Sequence, residues 1–574
     1  MWVYDFEVFK YDWLVVFRHL ESGETVKIIN NHTELLEFYN KNSGDLYIGF
    51  NNSRYDDYIF KVTLLGENPY RANQIIIEEN NIMKLFMIYN LNQFPIISYD
   101  VMRDSGRGSL KEFEGWLGMN IEESSVPFDI DRQLTEAELE DTVFYCEHDV
   151  KATMNLFKEL KDKVANRFRN VSYFGMDKSF LGAPDGKLSA EILNANGSKE
   201  WGREEFIGYE PVPSLQLKDN VDLLGFFQEI DYKNTVFRKI AGVEHVVKYG
   251  GIHGARPQFR YKGEMWLLDV GSYYPSMMIE YDFLSRQVKG KDRDKFKEMY
   301  DLRMKAKKSG DKVASNANKL VLNTTYGCMK DKYNKLYDPR MANNVCITGQ
   351  LLLIDLIEKI EPYIKLVQSN TDGILVIPLN KTKVEEHVNE WQERTGMKMD
   401  IDKYSEIYQK DVNNYLVVSD DGYIKAKGGH LVQAERVRGD YPKKSLKILD
   451  DCVVEYFISG KTPNEVVYGS DDPLDFQIIT KTGRTFKQTV WVKGNGNEVT
   501  VNKVNRVFAT KNKGRGGIFK VKVLNGELRY HKLANTPEHC ELANDIETFN
   551  MAELDREWYV EMAKKRLKGF GVDV

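Results

Sequence analysis

The chain has 574 residues, of which 42% are hydrophobic and 29% charged, and a formal net charge of −6. It is too long for one core, and no apolar run approaches the roughly 20 residues of a membrane span, so a multidomain protein of the cytoplasm is expected. Met1-Trp2-Val3-Tyr4-Asp5 lacks a basic-then-apolar leader, and the scattered Cys146, Cys328, Cys346, Cys452 and Cys540 have neither disulfide-framework nor zinc-site spacing.

Trp2-Val3-Tyr4-Asp5-Phe6-Glu7-Val8 alternates as a strand and puts Asp5 and Glu7 on one face. Neighbouring carboxylates repel unless a cation lies between them, so the pair points to a divalent metal; exposed acids on an edge strand are the alternative. Leu46 to Phe50 reads as a second strand and runs into Asn51-Asn52-Ser53-Arg54-Tyr55-Asp56-Asp57. Ser109-Leu110-Lys111-Glu112-Phe113 precedes an amphipathic helix on which Lys111 reads as a surface lysine. A helix from Asp141 to about Leu160 carries Tyr145 and Asp149 four residues apart, on one face. Between Lys161 and Glu244 no chemical motif stands out, although Gly197, Gly202 and Gly208 mark turns. Tyr249-Gly250-Gly251 then supplies a glycine pair that lets the backbone approach a phosphate closely.

The stretch Leu267-Leu268-Asp269-Val270-Gly271-Ser272-Tyr273-Tyr274-Pro275-Ser276 delivers one acid to a strand end, and Pro275 opens a helix. Such a junction holds a metal above a sheet and leaves helix-start N–H groups free for phosphate. Lys291 to Lys308 reads as a charged helix on which Arg303 and Lys307 share a face, and Lys319, Asn323 and Tyr326 share one on the next helix. Ile364 to Ile377 holds two apolar strands around Asn370-Thr371-Asp372-Gly373, a hairpin with an acid at its tip. Asn413-Asn414-Tyr415 and Ile424-Lys425-Ala426-Lys427-Gly428-Gly429 follow, and Leu446 to Ser459 and Met551 to Leu567 read as helices. From Lys481 to Lys532, thirteen Lys and Arg oppose two acids, a candidate phosphate-tracking surface with a solvated loop face as the alternative.

Asp5-x-Glu7, Asn52-x-x-Tyr55-Asp56 and Tyr145-x-x-x-Asp149 resemble, in order, the three exonuclease motifs of proofreading polymerases. The segments around Asp269, Lys319-x-x-x-Asn323-x-x-Tyr326-Gly327 and Asp372 resemble motifs A, B and C of the family B DNA polymerases, in the compact form of a phage or other mobile element. The resemblance implies a multidomain α/β and α+β protein. An RNase H-like exonuclease domain (1–190) precedes a right-hand polymerase: linker and first part of the palm (191–282), fingers (283–325), palm (326–430), thumb and C-terminal region (431–574). It implies 3′–5′ proofreading, with Asp5, Glu7, Asp56 and Asp149 binding two metals and Tyr145 orienting the attacking water. Asn52 and Tyr55 would hold the single-stranded 3′ end, and the motif spacing selects Asp56 over Asp57. For synthesis it implies Asp269 and Asp372 as metal ligands, with the Ser272 and Tyr273 backbone facing the triphosphate. Tyr274 would be the steric gate against a ribose 2′-hydroxyl, with Tyr273 as its rival, and Arg303, Lys307, Lys319, Asn323 and Tyr326 would bind the dNTP. Tyr249, Gly250, Gly251, Tyr415, Lys425 and Lys427 would contact primer–template DNA.

Mg2+, replaceable by Mn2+, is the implied cofactor, dNTPs the substrates, and a clamp, a helicase or a single-strand binding protein the implied partners. The sequence departs from the family where motif C has Asn370 for its first aspartate and where the primer-contact motif has Asn413 for lysine. The intervals Asp269 to Lys319 (50 residues) and Tyr326 to Asn370 (44 residues) leave no room for the large insertions of protein-primed members. The two asparagines raise an alternative, a DNA-binding 3′–5′ exonuclease whose polymerase half is inactive. A non-enzymatic nucleic-acid scaffold conflicts with acids retained at both sites.

Overall fold

The computed structural model describes residues 1–106, 108–197, 209–229, 235–437 and 446–574; Gly202 and Gly208 lie outside the described residues. The N-terminal region is built on a five-stranded sheet of β1 (Trp2–Val8), β2 (Trp13–His19), β3 (Thr25–Ile29), β4 (Leu46–Gly49) and β5 (Ile97–Asp100), in the order β3-β2-β1-β4-β5. β1 is antiparallel to β2 and parallel to β4, which is parallel to β5. The period of two divides β1 between two cores. Trp2, Tyr4, Phe6 and Val8 enter an aromatic-rich cluster with Phe17 and Phe60, whereas Val3 packs with Cys146, Val150 and Met154 of the long helix Glu136–Glu159. Asp5 and Glu7 therefore face that helix. A capping box of Thr135 and Glu138 fixes where the helix starts.

The central sheet has nine antiparallel strands in the order β14-β13-β12-β9-β11-β10-β8-β7-β6. They are β6 (Thr235–Ile240), β7 (Val243–Lys248), β8 (Gly251–Ala255), β9 (Phe259–Val270), β10 (Ile364–Asn370), β11 (Gly373–Pro378), β12 (Met399–Asp411), β13 (Asn414–Ser419) and β14 (Ile424–Lys427). The mostly buried helix Pro339–Ile360 packs against its β8 side, and Trp391 of the helix Lys381–Thr395 ties to it by donating to the Leu352 carbonyl at 2.9 Å. Helices Lys291–Ser309 and Lys312–Cys328 form a hairpin that turns at Gly310 (φ 76°). Its second helix packs on the helices Lys161–Tyr173 and Asp185–Ile192, where Asn170 donates to the Ala317 carbonyl at 3.1 Å.

The basic segment is folded into strands rather than loop: β15 (Ile478–Lys481), β16 (Gln488–Val492), β17 (Glu498–Val501), β18 (Val504–Ala509), β19 (Gly517–Leu524), β20 (Glu527–Lys532) and β21 (Cys540–Leu542). Their two sheets have the orders β15-β18-β21 and β17-β16-β19-β20. Arg506 on β18 is fully buried and so leaves the expected phosphate surface. The last helix starts at Arg556 rather than Met551, because Asp555 caps it by accepting from the Trp558 N–H. All five cysteines are buried and unpaired, and among the described residues no helix is long and apolar enough to cross a membrane.

Candidate active sites

Two sets of carboxylates stand apart in the fold. The first lies between β1 and the long helix. Ligand atoms of Asp5, Glu7 and Cys146 all fall within 4.8 Å of one another. Asp56 opens the helix Asp56–Leu64 and accepts from the Phe6 N–H at 3.3 Å, which ties it to the same strand. Asp57 is committed elsewhere, accepting from Tyr4 (2.6 Å), Ser98 (2.8 Å) and Asn52 (3.0 Å). Asp149 meets Lys111 Nζ at 2.5 Å; that ammonium also reaches Glu114 at 3.1 Å and lies 4.4 Å from the Tyr145 ring centroid. The surface lysine expected from sequence is thus a buried one, 8% exposed.

Burial dominates the electrostatics here. It pushes Asp5 and Glu7 far above the carboxylate range, reinforced by their acidic neighbours and opposed by Lys111. Asp56 is pushed up to about 8, by burial against the Phe6 N–H, and Asp149 to about 6, by burial against Lys111. Lys111 is itself pulled down by burial, but Asp149 and Glu114 outweigh that and hold it charged. Acids forced together at this cost fit a divalent cation. Tyr55 borders the cluster, its ionisation disfavoured by burial and by Asp56, and its hydroxyl donates to Asn73 at 2.8 Å. Asn52 does not reach a surface: it is 0% exposed and donates internally to Asp57 and to Ser98 at 2.9 Å.

The second site is set by strand register. β11 pairs with β9 so that Gly373 lies opposite Asp269, which brings the Thr371–Asp372 turn beside Asp269; the Val270 N–H donates to the Asp372 carbonyl at 2.9 Å. A Cβ on Gly373 would lie 2.7 Å from the Leu268 carbonyl oxygen, so the close approach needs glycine. Asp269 is pushed up to about 6 by burial and by Asp372, with Lys425 and Lys307 opposing. Asn370 hydrogen-bonds the half-buried His253 of β8, a residue that no motif had singled out.

Ser272 takes the left-handed conformation (φ 57°) and lets the helix Tyr273–Glu280 start beside the acids. Tyr273 is buried and donates to the Gly349 carbonyl at 2.7 Å. Tyr274 is the tyrosine turned to the site: it donates to the Gly250 carbonyl at 3.0 Å, and its ring lies 4.4 Å from that of Tyr326. Gly250 and Gly251 have φ of 144° and 156°, and a Cβ on Gly251 would come within 3.0 Å of the Thr371 hydroxyl. Tyr249 is half-buried and donates to the Phe227 carbonyl at 3.2 Å.

On the helical hairpin, Arg303 is 9% exposed, with Nε and Nη1 lacking partners among the described residues. Lys307 reaches over to Asp400 at 2.6 Å. Asp400 lies opposite Asp269 in the β12–β9 register and is a third acid at this edge. Its signal, Asp400-x-Asp402 in a strand, repeats the pattern of Asp5-x-Glu7. Lys319 and Asn323 line a cleft of about 500 Å³ with Arg103, Lys163 and Arg167 of the N-terminal region. Tyr415 lies opposite Lys427, and Lys425 opposite Val417, on the paired strands β13 and β14 beyond β12. A larger cleft, about 1000 Å³, separates the N-terminal, central and C-terminal parts; Trp116, Lys410, His430, Lys520 and Lys565 are among its walls.

No family model matches the chain. Over 262 residues, 44% of this chain, the sequence is 24% identical to DNA polymerase 1 of Saccharolobus solfataricus. Over 157 residues, 27% of this chain, it is 24% identical to DNA polymerase 1 of Sulfolobus acidocaldarius. The alignments span 26% and 17% of those two relatives. The solved family B DNA polymerase of the archaeon Pyrobaculum calidifontis superposes with a TM-score of 0.43 and 13% identity, over 99% of this chain and 77% of that one.

Proposed function

We propose that this chain is a template-directed family B DNA polymerase with a 3′–5′ proofreading exonuclease, serving the replication of a phage or mobile-element genome. The observation that carries the reading is the β9–β11 register that sets Asp269 beside the Asp372 turn, in a chain whose N-terminal sheet separately gathers Asp5, Glu7, Asp56 and Asp149. The archaeal DNA polymerases that the chain distantly resembles support the same class of chemistry.

Asp269 and Asp372 would hold Mg2+ or Mn2+ for synthesis, and the N-terminal acids would hold it for hydrolysis. Bound divalent ions would supply a more acidic attacking hydroxyl or water and would neutralise phosphate charge. The chain's own residues do the rest. Tyr274, its ring tilted 52° against that of Tyr326 at 4.4 Å, would lie beside a ribose 2′-hydroxyl and so select deoxyribonucleotides. Arg303 and Lys307 oppose the charge of the triphosphate once Lys307 leaves Asp400. Tyr145 and Lys111, stacked together against Asp149, orient the attacking water and keep that carboxylate ionised. Lys425, Lys427 and Tyr415 border the primer side. Lys319 and Asn323, exposed on the helix that also carries Tyr326, would add a charge and an amide for the triphosphate.

Asn370 favours a second reading, an exonuclease whose polymerase half only binds DNA. Extension of a labelled primer on a longer template, with Mg2+ and dNTPs, decides between them. The first reading requires extension by the parent protein and its loss in Asp372→Ala. Shortening of the primer without any extension would replace it with the second.

A further inference from the structure

The helix Leu110–Trp116, which carries Lys111, is held from two sides. On one side Lys111 touches Asp149 and Glu114, and His148, next to Asp149, comes within 3.0 Å of the Asn120 carbonyl and 3.6 Å of Glu114. The other side is built by residues more than 350 positions later. Lys481 of β15 meets Glu112 at 2.6 Å. Arg506 of β18, fully buried, donates through Nη2 to the carbonyls of Gly115 (3.3 Å) and Met119 (2.6 Å) and is fixed by Gln477 (2.8 Å) and the Asn544 carbonyl (2.9 Å). The Ile121 N–H donates to the Asn544 carbonyl at 3.0 Å, and the Ile546 N–H to Asn120 at 3.3 Å.

The fit is close enough to dictate a residue. A Cβ on Gly115 would fall 2.5 Å from Ile479 Cδ1 and 2.9 Å from its Cγ1. Glycine weakens a helix interior relative to alanine, so at this position it serves the contact rather than the helix.

We infer that the C-terminal sheet is a working part of the N-terminal acid site: Lys481, Ile479 and Arg506 are positioning residues that hold the Lys111 helix against Asp149. The inference rests on reading that site as an exonuclease. It makes the C-terminal region, through which the duplex would be gripped, a control on hydrolysis. A displacement of the C-terminal sheet moves Lys111 away from Asp149 and slows cleavage, without touching the DNA end.

Two breaks and their repairs test it. Gly115→Val wedges the helix off β15, and Ile479→Ala in the same chain restores the volume; Lys481→Met removes the ion pair, and Lys481→Arg keeps it. Each variant is measured for digestion of a single-stranded oligonucleotide with Mg2+ and for amide exchange over residues 109–121. Gly115→Val is expected to lower kcat about tenfold or more at nearly constant KM, with faster exchange over that segment, and the double variant to recover most of both. Lys481→Met is expected to lose about threefold, and Lys481→Arg to retain the parent rate. Parent kcat in Gly115→Val and Lys481→Met despite faster exchange, or exchange unchanged in both, would overturn the inference. If Asp149→Ala digests DNA no more slowly than the parent, the exonuclease reading is what fails; the exchange arm then separately decides whether the C-terminal sheet holds the Lys111 helix.

Discussion

The two carboxylate sites solve one problem in opposite ways. At the N-terminal site, four acids gather beside a strand and a helix, burial lifts all of them, and Lys111 is locked inside with them. At the central-sheet site the acids sit at strand ends, Asp269 rises only to about 6, and the cations come from separate elements: Lys307 from the helical hairpin and Lys425 from β14. The first site is thus preorganised, and its cost falls on stability. The second takes its cations from separate elements of the fold.

The largest effect should separate the sites outright. Asp372→Ala is expected to slow primer extension by about 10³-fold or more and to leave digestion of single strands near the parent rate, and Asp149→Ala to do the reverse; single-turnover rates check both. Next, Lys111→Met is expected to cut digestion about 10- to 100-fold through kcat, because Asp149 loses the charge that keeps it ionised. A digestion rate unchanged in Lys111→Met would remove the contrast between the sites.

Without metal, acid groups whose folded-state pKa is raised contribute stability that is complete below their unfolded pKa and lost as pH rises through the folded one. For Asp149 and Asp269 that loss runs from about 4 to about 6, and for Asp56 from about 4 to about 8. Unfolding by urea in EDTA should therefore show stability falling from pH 6 to pH 8. Asp56→Asn should remove about 2 kcal/mol of that fall, and Mg2+ should flatten it. Smaller still, Asp400→Asn frees Lys307 from its ion pair and is expected to lower KM for dNTP about two- to fivefold. Asn370→Asp adds a charge beside Asp372, keeps an acceptor for His253, and should lower the Mg2+ concentration needed for half-maximal extension by a similar factor.

Elements set by local period were legible in the sequence: the strand with Asp5 and Glu7, the helix with Tyr145 and Asp149, the two-residue turn at Asp372 and the paired helices around Gly310. What escaped depended on contacts between distant segments. β2 and β3 gave no usable signal, because the Trp13–Phe17 run is buried on both faces and does not alternate. Lys111 looked like a surface lysine because its partner Asp149 lies 38 residues away, and Lys481, which meets the neighbouring Glu112 and so holds the same helix, lies about 370 residues away. Asp400 entered the central-sheet site only through the register of β12 on β9. Asn52 fitted a motif spacing, yet the tight packing of Gly49 beneath it turns its amide inward.

The central claim is that the chain makes and removes phosphodiester bonds at two separate sites. Conversion of dNTP to dNMP on a primer–template, which requires addition followed by excision, tests it most directly. The account predicts steady dNMP release by the parent, none by Asp372→Ala or Asp149→Ala alone, and release restored when the two variants are mixed. Release by Asp149→Ala alone, or an inert mixture of variants that are each active at their intact site, would contradict it.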